Sequence, residues 1–208
     1  MAPPSFKRIG LTGGIGSGKS TLGKLLQDRG FPLINADDLS HALTAPQGAA
    51  IELIRQYFGS DFITPEGALD RPRMRQLVFT QARAKLALQT LLHPLILTAI
   101  QQAEASIKDK GNSLVVIDIP LLVESAHWLA VLQQIIVVDC EEDTQVTRVM
   151  KRSQLSAVEV RQIMANQVSR AQRLAAADIV VFNNTDRLAD LHQQAQAIHL
   201  QNKPLALL

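Results

Sequence analysis

The sequence predicts an α/β fold with a five-stranded parallel sheet and helices on both of its faces. Five short runs rich in Val, Ile and Leu alternate with stretches of helical periodicity. The runs occupy residues 9–12, 31–35, 114–119, 135–140 and 179–182. Each run is apolar at successive positions, which is typical of strands buried on both faces. Strands that alternate with helices indicate βαβ units and hence a doubly wound sheet.

The helices between these runs have signals of their own. A helix is predicted over residues 19–29, where three leucines share one face and a glycine follows the last turn. A Ser-x-x-Glu capping box at Ser156 predicts a helix from there to about residue 173. A closing helix is expected over residues 187–200.

Composition excludes several function classes. The chain has 208 residues, with 21 Lys and Arg against 19 Asp and Glu, which gives a formal net charge of +2. This balance argues against a surface that coats nucleic acid, and the single cysteine excludes an intrachain disulfide or a multi-cysteine metal cluster. No run of about 18 apolar residues indicates a membrane span. We therefore expect a cytoplasmic protein with no nucleic-acid or membrane partner. A monomer or weak homo-oligomer is expected, although composition does not determine the oligomeric state.

The chain reads as one domain with two helical insertions. Residues 40–111 are far longer than a simple crossover needs, so they are expected to form a helical lobe that binds the acceptor. Residues 141–173 are helical and rich in arginine, and are expected to form a mobile lid. The core would then consist of residues 6–39, 112–140 and 174–208.

A phosphate-binding loop follows the first strand. Residues 13–20 match the pattern G-x-x-x-x-G-K-[ST], in which glycines let backbone N–H groups wrap a phosphate. Lys19 would neutralise β- and γ-phosphate charge, and the Ser20 hydroxyl would ligate Mg²⁺. The residues expected to hold ATP are Gly13, Gly14, Ile15, Gly16, Ser17, Gly18, Lys19 and Ser20. The alternative, a flexible glycine-rich turn, is disfavoured because a strand precedes the loop and a helix follows it.

The missing motifs narrow the class of nucleotide-binding protein. No aspartate is followed three residues later by glycine, and the Asn-Lys at residues 202–203 is not followed by x-Asp, so the GTPase motifs are absent. The Leu-Ser-Gly-Gly-Gln signature of ABC-type ATPases is absent too. Small-molecule kinases remain, with a nucleoside monophosphate kinase and a non-catalytic nucleotide-binding regulator as the alternatives.

A carboxylate lies where an acceptor hydroxyl would be deprotonated. Asp37 and Asp38 follow the second predicted strand, whose carboxyl end faces the crevice of a doubly wound sheet. A carboxylate there can accept the hydroxyl proton in phosphoryl transfer. The alternative is that one of the two aspartates only caps the next helix.

Over nearly its whole length the sequence resembles the dephospho-CoA kinase family. The stretches that carry the resemblance are residues 11–21, Asn35-Ala-Asp37, residues 67–71, 92–95, 118–124 and 145–152, Asn166-Gln167, Ala177-Asp178 and Asn183-Asn184. One departure is Asn35, where the family usually has aspartate. The second carboxylate of that motif, Asp37, is kept.

The resemblance implies transfer of a phosphoryl group from ATP to the ribose 3′-hydroxyl of dephospho-CoA, which yields coenzyme A and ADP. It implies Asp37 as the catalytic base, with Lys19 and the lid residue Arg148 around the transferred group. Mg²⁺ would be held by Ser20 and by Asp118, which ends an apolar run like a Walker-B acid.

The remaining roles implied by the resemblance concern the two substrates. Thr21 and Asn183 would contact ATP, and the acceptor would meet Arg71, His93 and Leu121 as well as Asp37. Plainer readings stay open at several of these positions. They are a turn or cap residue at Asp118, a solvated helix face at Arg148, and structural residues at His93 and Asn183.

Overall fold

The computed structural model describes residues 6–185 and 187–202. Its five strands form one sheet in the order β2-β3-β1-β4-β5. They are β1 (Lys7–Gly13), β2 (Leu33–Asn35), β3 (Leu114–Asp118), β4 (Gln134–Asp139) and β5 (Ile179–Phe182). The predicted fold class is confirmed, and each strand lies within or overlaps the run that predicted it.

Helices fill the intervals between the strands. They are α1 (Lys19–Gln27), α2 (Ala36–Leu43), α3 (Ile51–Phe58), α4 (Arg71–Thr80), α5 (Ala82–Asp109), α6 (Ala126–Val131), α7 (Glu142–Ser153), α8 (Ala157–Ala165), α9 (Arg170–Ala175) and α10 (Leu188–Asn202), with a 3₁₀ turn at Ser60–Phe62. Within the described residues, no helix is both long and apolar enough to cross a membrane.

The chain divides into two compact units. Of the described residues, those up to 34 and those from 107 onward form the sheet unit, and residues 35–106 form the helical unit. The roles of an acceptor lobe and a lid stay predictions.

The core of the sheet unit surrounds the central strand β1. Ile9 and Leu11 of β1 are fully buried in one cluster with leucines of α1 and apolar residues of α10. On its two sides β1 pairs in parallel with β3 and β4, and Leu11 is in register with Asp118 and Ile136. Because the strands are parallel, the carboxyl ends of all three meet at one edge of the sheet, where the loop after β1 begins.

The helical unit has a separate apolar core. Ile54 of α3 is fully buried, and Leu69 and Met74 are nearly so, in a cluster that also includes apolar side chains of α5. Pro94 lies inside the 28 residues of α5. The unit therefore has a packed interior of its own.

Most predicted element boundaries differ from the structure by one or two residues, and three of the differences have a local explanation or change an element. Strand β2 begins at Leu33 rather than residue 31, since Pro32 has no N–H to donate and offers only its carbonyl, which accepts from Val116 N at 2.9 Å. Helix α1 ends at Gln27 rather than residue 29. The helix predicted from Ser156 to residue 173 is two helices, because Ser169 takes an extended conformation and opens its own capping box with Gln172.

Candidate active site

The loop between β1 and α1 has the shape of a phosphate-binding loop. Its glycines at 16 and 18 have φ values of 76° and 98°, a region that only glycine enters freely. Residue 13 has no room for a side chain, because a Cβ there would lie 2.6 Å from both Ser17 Oγ and the carbonyl oxygen of Val138. The loop residues that were predicted to hold ATP therefore form a continuous turn in which glycine is needed at several positions.

Lys19 and Asp118 form an ion pair at the end of this loop. Lys19 is the first residue of α1, and its Nζ contacts Asp118 Oδ1, with the Asp118 side chain 2% exposed. Strand register explains the contact, since Asp118 ends β3 beside Leu11 of β1. The lysine predicted for phosphate charge and the acid predicted for Mg²⁺ thus lie together.

The side chains of Asp118 and Ser20 carry oxygen atoms, which are the ligands that Mg²⁺ prefers. The Asp118 carboxylate is buried, while Ser20 lies exposed in the first turn of α1. Among the described residues, no group of three or more His, Cys, Asp or Glu could hold a metal by itself. This donor set suits an ion that keeps most of its shell as water and phosphate oxygen.

The loop after β5 packs against the phosphate-binding loop. Asn183 Nδ2 donates to the carbonyl of Ser17 at 2.7 Å, and Arg148 donates to the carbonyls of Asn183 and Thr185 at 2.8 and 2.7 Å. A cavity of about 210 Å³ opens beside these residues. Its lining includes Gly18, Thr21, Arg148, Asn183, Leu188 and Leu191. The cavity lies directly next to the phosphate-binding loop.

Arg148 and Asn183 therefore have backbone partners in this structure. The guanidinium of Arg148 fixes the 183–185 loop, and the amide of Asn183 ties that loop to Ser17. Their predicted contacts with the transferred group and with ATP stay predictions.

Sequence reasoning assigned no role to three residues that touch the phosphate-binding loop. A Cβ on Gly14 would lie 2.3 Å from Gln145 Nε2 and 3.0 Å from Arg173 Nη2. The side chain of Gln167 accepts from the N–H of Ile15 at 3.2 Å. Gln145 and Gln167 stood within motifs that resemble the family, but nothing in the sequence indicated which part of the chain they contact.

Asp37 is exposed in the first turn of α2, and it does not cap that helix. The N-cap is Asn35, whose side-chain oxygen accepts from the backbone N–H groups of Asp37 and Asp38 at 2.9 and 3.2 Å. The alternative reading, in which Asp37 or Asp38 serves as the cap, is wrong. Among the described residues, the Asp37 carboxylate has no hydrogen bond or ion pair.

The other predicted acceptor residues lie in different surroundings. Arg71 begins α4 and donates through Nη2 to Thr44 Oγ1 at 2.5 Å within the helical unit. His93 is exposed on α5, next to Pro94. Leu121 belongs to the sheet unit, follows β3 and is 46% exposed. Their contacts with a substrate stay predictions.

Comparisons of this chain with a family model and with known proteins identify one family. The family model described as dephospho-CoA kinase matches residues 7–189. The dephospho-CoA kinase of Bordetella pertussis is 48% identical over 193 residues, which cover 92% of this chain and 89% of the relative. The dephospho-CoA kinase of Albidiferax ferrireducens is 46% identical over 184 residues, covering 88% of this chain and 87% of the relative.

The fold of this chain is also similar to that of a solved structure. The dephospho-CoA kinase from Campylobacter jejuni superposes with a TM-score of 0.67 at 25% identity, covering 93% of this chain and 96% of that one. The resemblance indicated by the sequence motifs is therefore confirmed. The predicted P-loop kinase fold is confirmed as well, in a family of kinases that use ATP. On the extent of the family match and the identity to its members, this chain belongs to the dephospho-CoA kinase family.

Proposed function

We propose that this chain transfers the γ-phosphoryl group of ATP to the ribose 3′-hydroxyl of dephospho-CoA, which gives coenzyme A and ADP. The observation that carries the proposal is the glycine-built loop whose Lys19 meets the buried Asp118 in a chain of this family. Phosphoryl transfer depends mainly on positioning and charge stabilisation, and this loop supplies both.

The loop and α1 hold the triphosphate. Backbone N–H groups of the loop, apart from those of Ile15 and Ser17, which donate to Gln167 and Gly14, face the phosphates together with the positive end of the α1 dipole. Lys19 neutralises the phosphate charge. Ser20 and Asp118 would hold Mg²⁺, which when bound would supply further neutralisation of the phosphate charge. The cavity lined by Thr21 and Asn183 takes the adenosine part of ATP.

Asp37 acts on the acceptor. Its carboxylate accepts the proton of the 3′-hydroxyl as the hydroxyl oxygen forms its bond to the γ-phosphorus and ADP departs with the bridging oxygen. A carboxylate with no hydrogen-bond donor committed to it within the described chain is available for this proton. Arg71, His93 and Leu121 bind the rest of the acceptor, and Arg148 covers the transferred group from the lid formed by residues 141–173.

The acceptor identity is tested by ADP release from purified protein with Mg·ATP and a panel of acceptors. Dephospho-CoA should give acceptor-dependent ADP and a product heavier by one phosphoryl group, whereas AMP and shikimate should leave the background rate unchanged. Turnover with AMP would favour the alternative of a nucleoside monophosphate kinase. ATP binding with no turnover on any acceptor would favour a regulator without chemistry.

A further inference from the structure

The linker between α8 and α9, residues 166–169, lies against the phosphate-binding loop. The side-chain oxygen of Gln167 accepts from Ile15 N, and this hydrogen bond joins positions 152 residues apart in the chain. Ile15 stands between Gly14 and the left-handed Gly16, so the peptide plane that Gln167 holds is the one that leads into the apex of the loop. A side chain is therefore fixing the backbone of the loop from outside it.

Gln167 is itself held in place through its neighbour Val168. The N–H of Val168 donates to Glu124 Oε1 at 3.0 Å, and its carbonyl accepts from Arg173 Nη1 at 2.5 Å. Both polar groups of this residue's backbone are thus paired with side chains. Because the backbone is pinned immediately after Gln167, the amide of Gln167 has little freedom to leave Ile15.

Arg173 links this arrangement to the loop a second time. It is 8% exposed, and burial lowers the pKa of its guanidinium. Its Nη2 would lie 3.0 Å from a Cβ on Gly14, so the guanidinium packs against the loop backbone itself. One turn earlier on α9, Arg170 donates to both oxygens of Asp139 at 2.7 to 3.1 Å, which fixes the helix to the end of β4.

We infer that Gln167 is a positioning residue for the nucleotide: its side chain sets the Gly14–Ile15 peptide so that the loop is ready to take phosphate. The inference rests on the proposed nucleotide binding, but not on the identity of the acceptor. Loss of this hydrogen bond leaves the Ile15 N–H without its partner and should weaken nucleotide binding about five- to twentyfold, which corresponds to about 1–1.8 kcal/mol at about 1.4 kcal/mol per tenfold.

The test compares Gln167→Met with wild type. Methionine has a similar length and volume but a thioether in place of the carboxamide, so packing is retained while the strong acceptor is lost. The expected results are a Kd for ADP about five- to twentyfold higher, a KM for ATP raised to match, and an unchanged KM for dephospho-CoA. Hydrogen exchange at the Ile15 amide should become at least about tenfold faster. Gln162→Ala, a change at an exposed position of α8, should stay within about twofold of wild type throughout.

The inference is overturned if Gln167→Met binds ADP within twofold of wild type, or if both KM values rise together with a fall in thermal stability. Unchanged exchange at the Ile15 amide would overturn it too, because the hydrogen bond would then not be the constraint. ADP binding and hydrogen exchange need no acceptor. Failure of wild type to phosphorylate dephospho-CoA would therefore refute the proposed function while leaving this test intact.

Discussion

Replacing Gly13 by alanine should destabilise the sheet unit strongly. The added Cβ would lie 2.6 Å from Ser17 Oγ, 2.6 Å from the Val138 carbonyl oxygen and 3.3 Å from Val138 Cβ. Ser17 and Val138 are both fully buried, and the Val138 oxygen belongs to the backbone of β4 beside β1. The Val138 oxygen is part of the backbone and cannot rotate away from the new Cβ, so β1 and β4 must separate or the loop must shift.

Overpacking of a well-packed core costs about 1–3 kcal/mol, and a clash with backbone belongs at the upper end of that range. For a chain of this size about 1 kcal/mol corresponds to 2–4 °C in Tm. Gly13→Ala should therefore lower Tm by about 6–12 °C and weaken ADP binding, as measured by thermal unfolding and by titration.

Gly23→Ala provides the matched control. It is the same substitution in α1, where the nearest atom to the new Cβ is the end of the Leu11 side chain at 3.3 Å. The gain of about 0.8–1 kcal/mol in helix propensity offsets this tight contact, so its stability should stay within about 1 kcal/mol of wild type. If Gly13→Ala were as stable as Gly23→Ala, the reasoning from loop crowding would be refuted.

Three further predictions concern single side chains. Asp37→Asn should reduce kcat about 10²- to 10⁴-fold with ADP affinity unchanged, because only proton acceptance is lost. The kcat of the control variant Asp38→Asn should stay within about threefold of wild type. Equal losses of kcat in the two variants would contradict the assignment of Asp37 as the base. Asn35→Ala should lower the free energy of unfolding in urea by about 1 kcal/mol through loss of the α2 cap, whereas Asn35→Asp should keep wild-type stability. An alanine variant as stable as wild type would rule out the cap. Burial raises the pKa of the Cys140 thiol, so at pH 8 iodoacetamide should modify it at least about tenfold more slowly in the native protein than in urea; equal rates would show that the thiol is accessible.

Strands β3 and β4 could be predicted because they are buried on both faces. Residues such as Val116 and Ile136 are fully buried, and a strand of this kind is apolar at every position, a pattern that few other elements share. The break between α8 and α9 was missed although Ser169 and Gln172 form a second Ser-x-x-Gln capping box.

The phosphate-binding loop could be predicted because its chemistry fixes residue types at fixed spacing. Gly16 and Gly18 need positive φ, and Gly13 has no room for a side chain. The contacts of Gln145, Gln167 and Arg173 with this loop could not be predicted in the same way. They join residues more than 100 positions apart, and their pairing depends on how α7 and α9 pack, which no local pattern encodes.

At Asp37 the sequence left two roles open, catalytic base and helix cap, and the structure excludes the cap. Asn, Asp and Ser are all good helix caps, so the stretch Asn35-Ala-Asp-Asp38 offered several candidates. The geometry gives the cap to Asn35 and leaves Asp37 in the first turn. An amide at residue 35 therefore caps α2 as a carboxylate would.

The most direct test of the proposed reaction is to follow the γ-phosphoryl group. Wild-type protein would be incubated with ATP labelled in the γ-phosphate and with dephospho-CoA, and the labelled product would be analysed for the position of the new phosphate. The account predicts label on the ribose 3′-oxygen of coenzyme A, in an amount equal to the ADP formed, and no label on a 3′-deoxy analogue of the acceptor. Label released only as inorganic phosphate, or carried at another position of the acceptor, would contradict it.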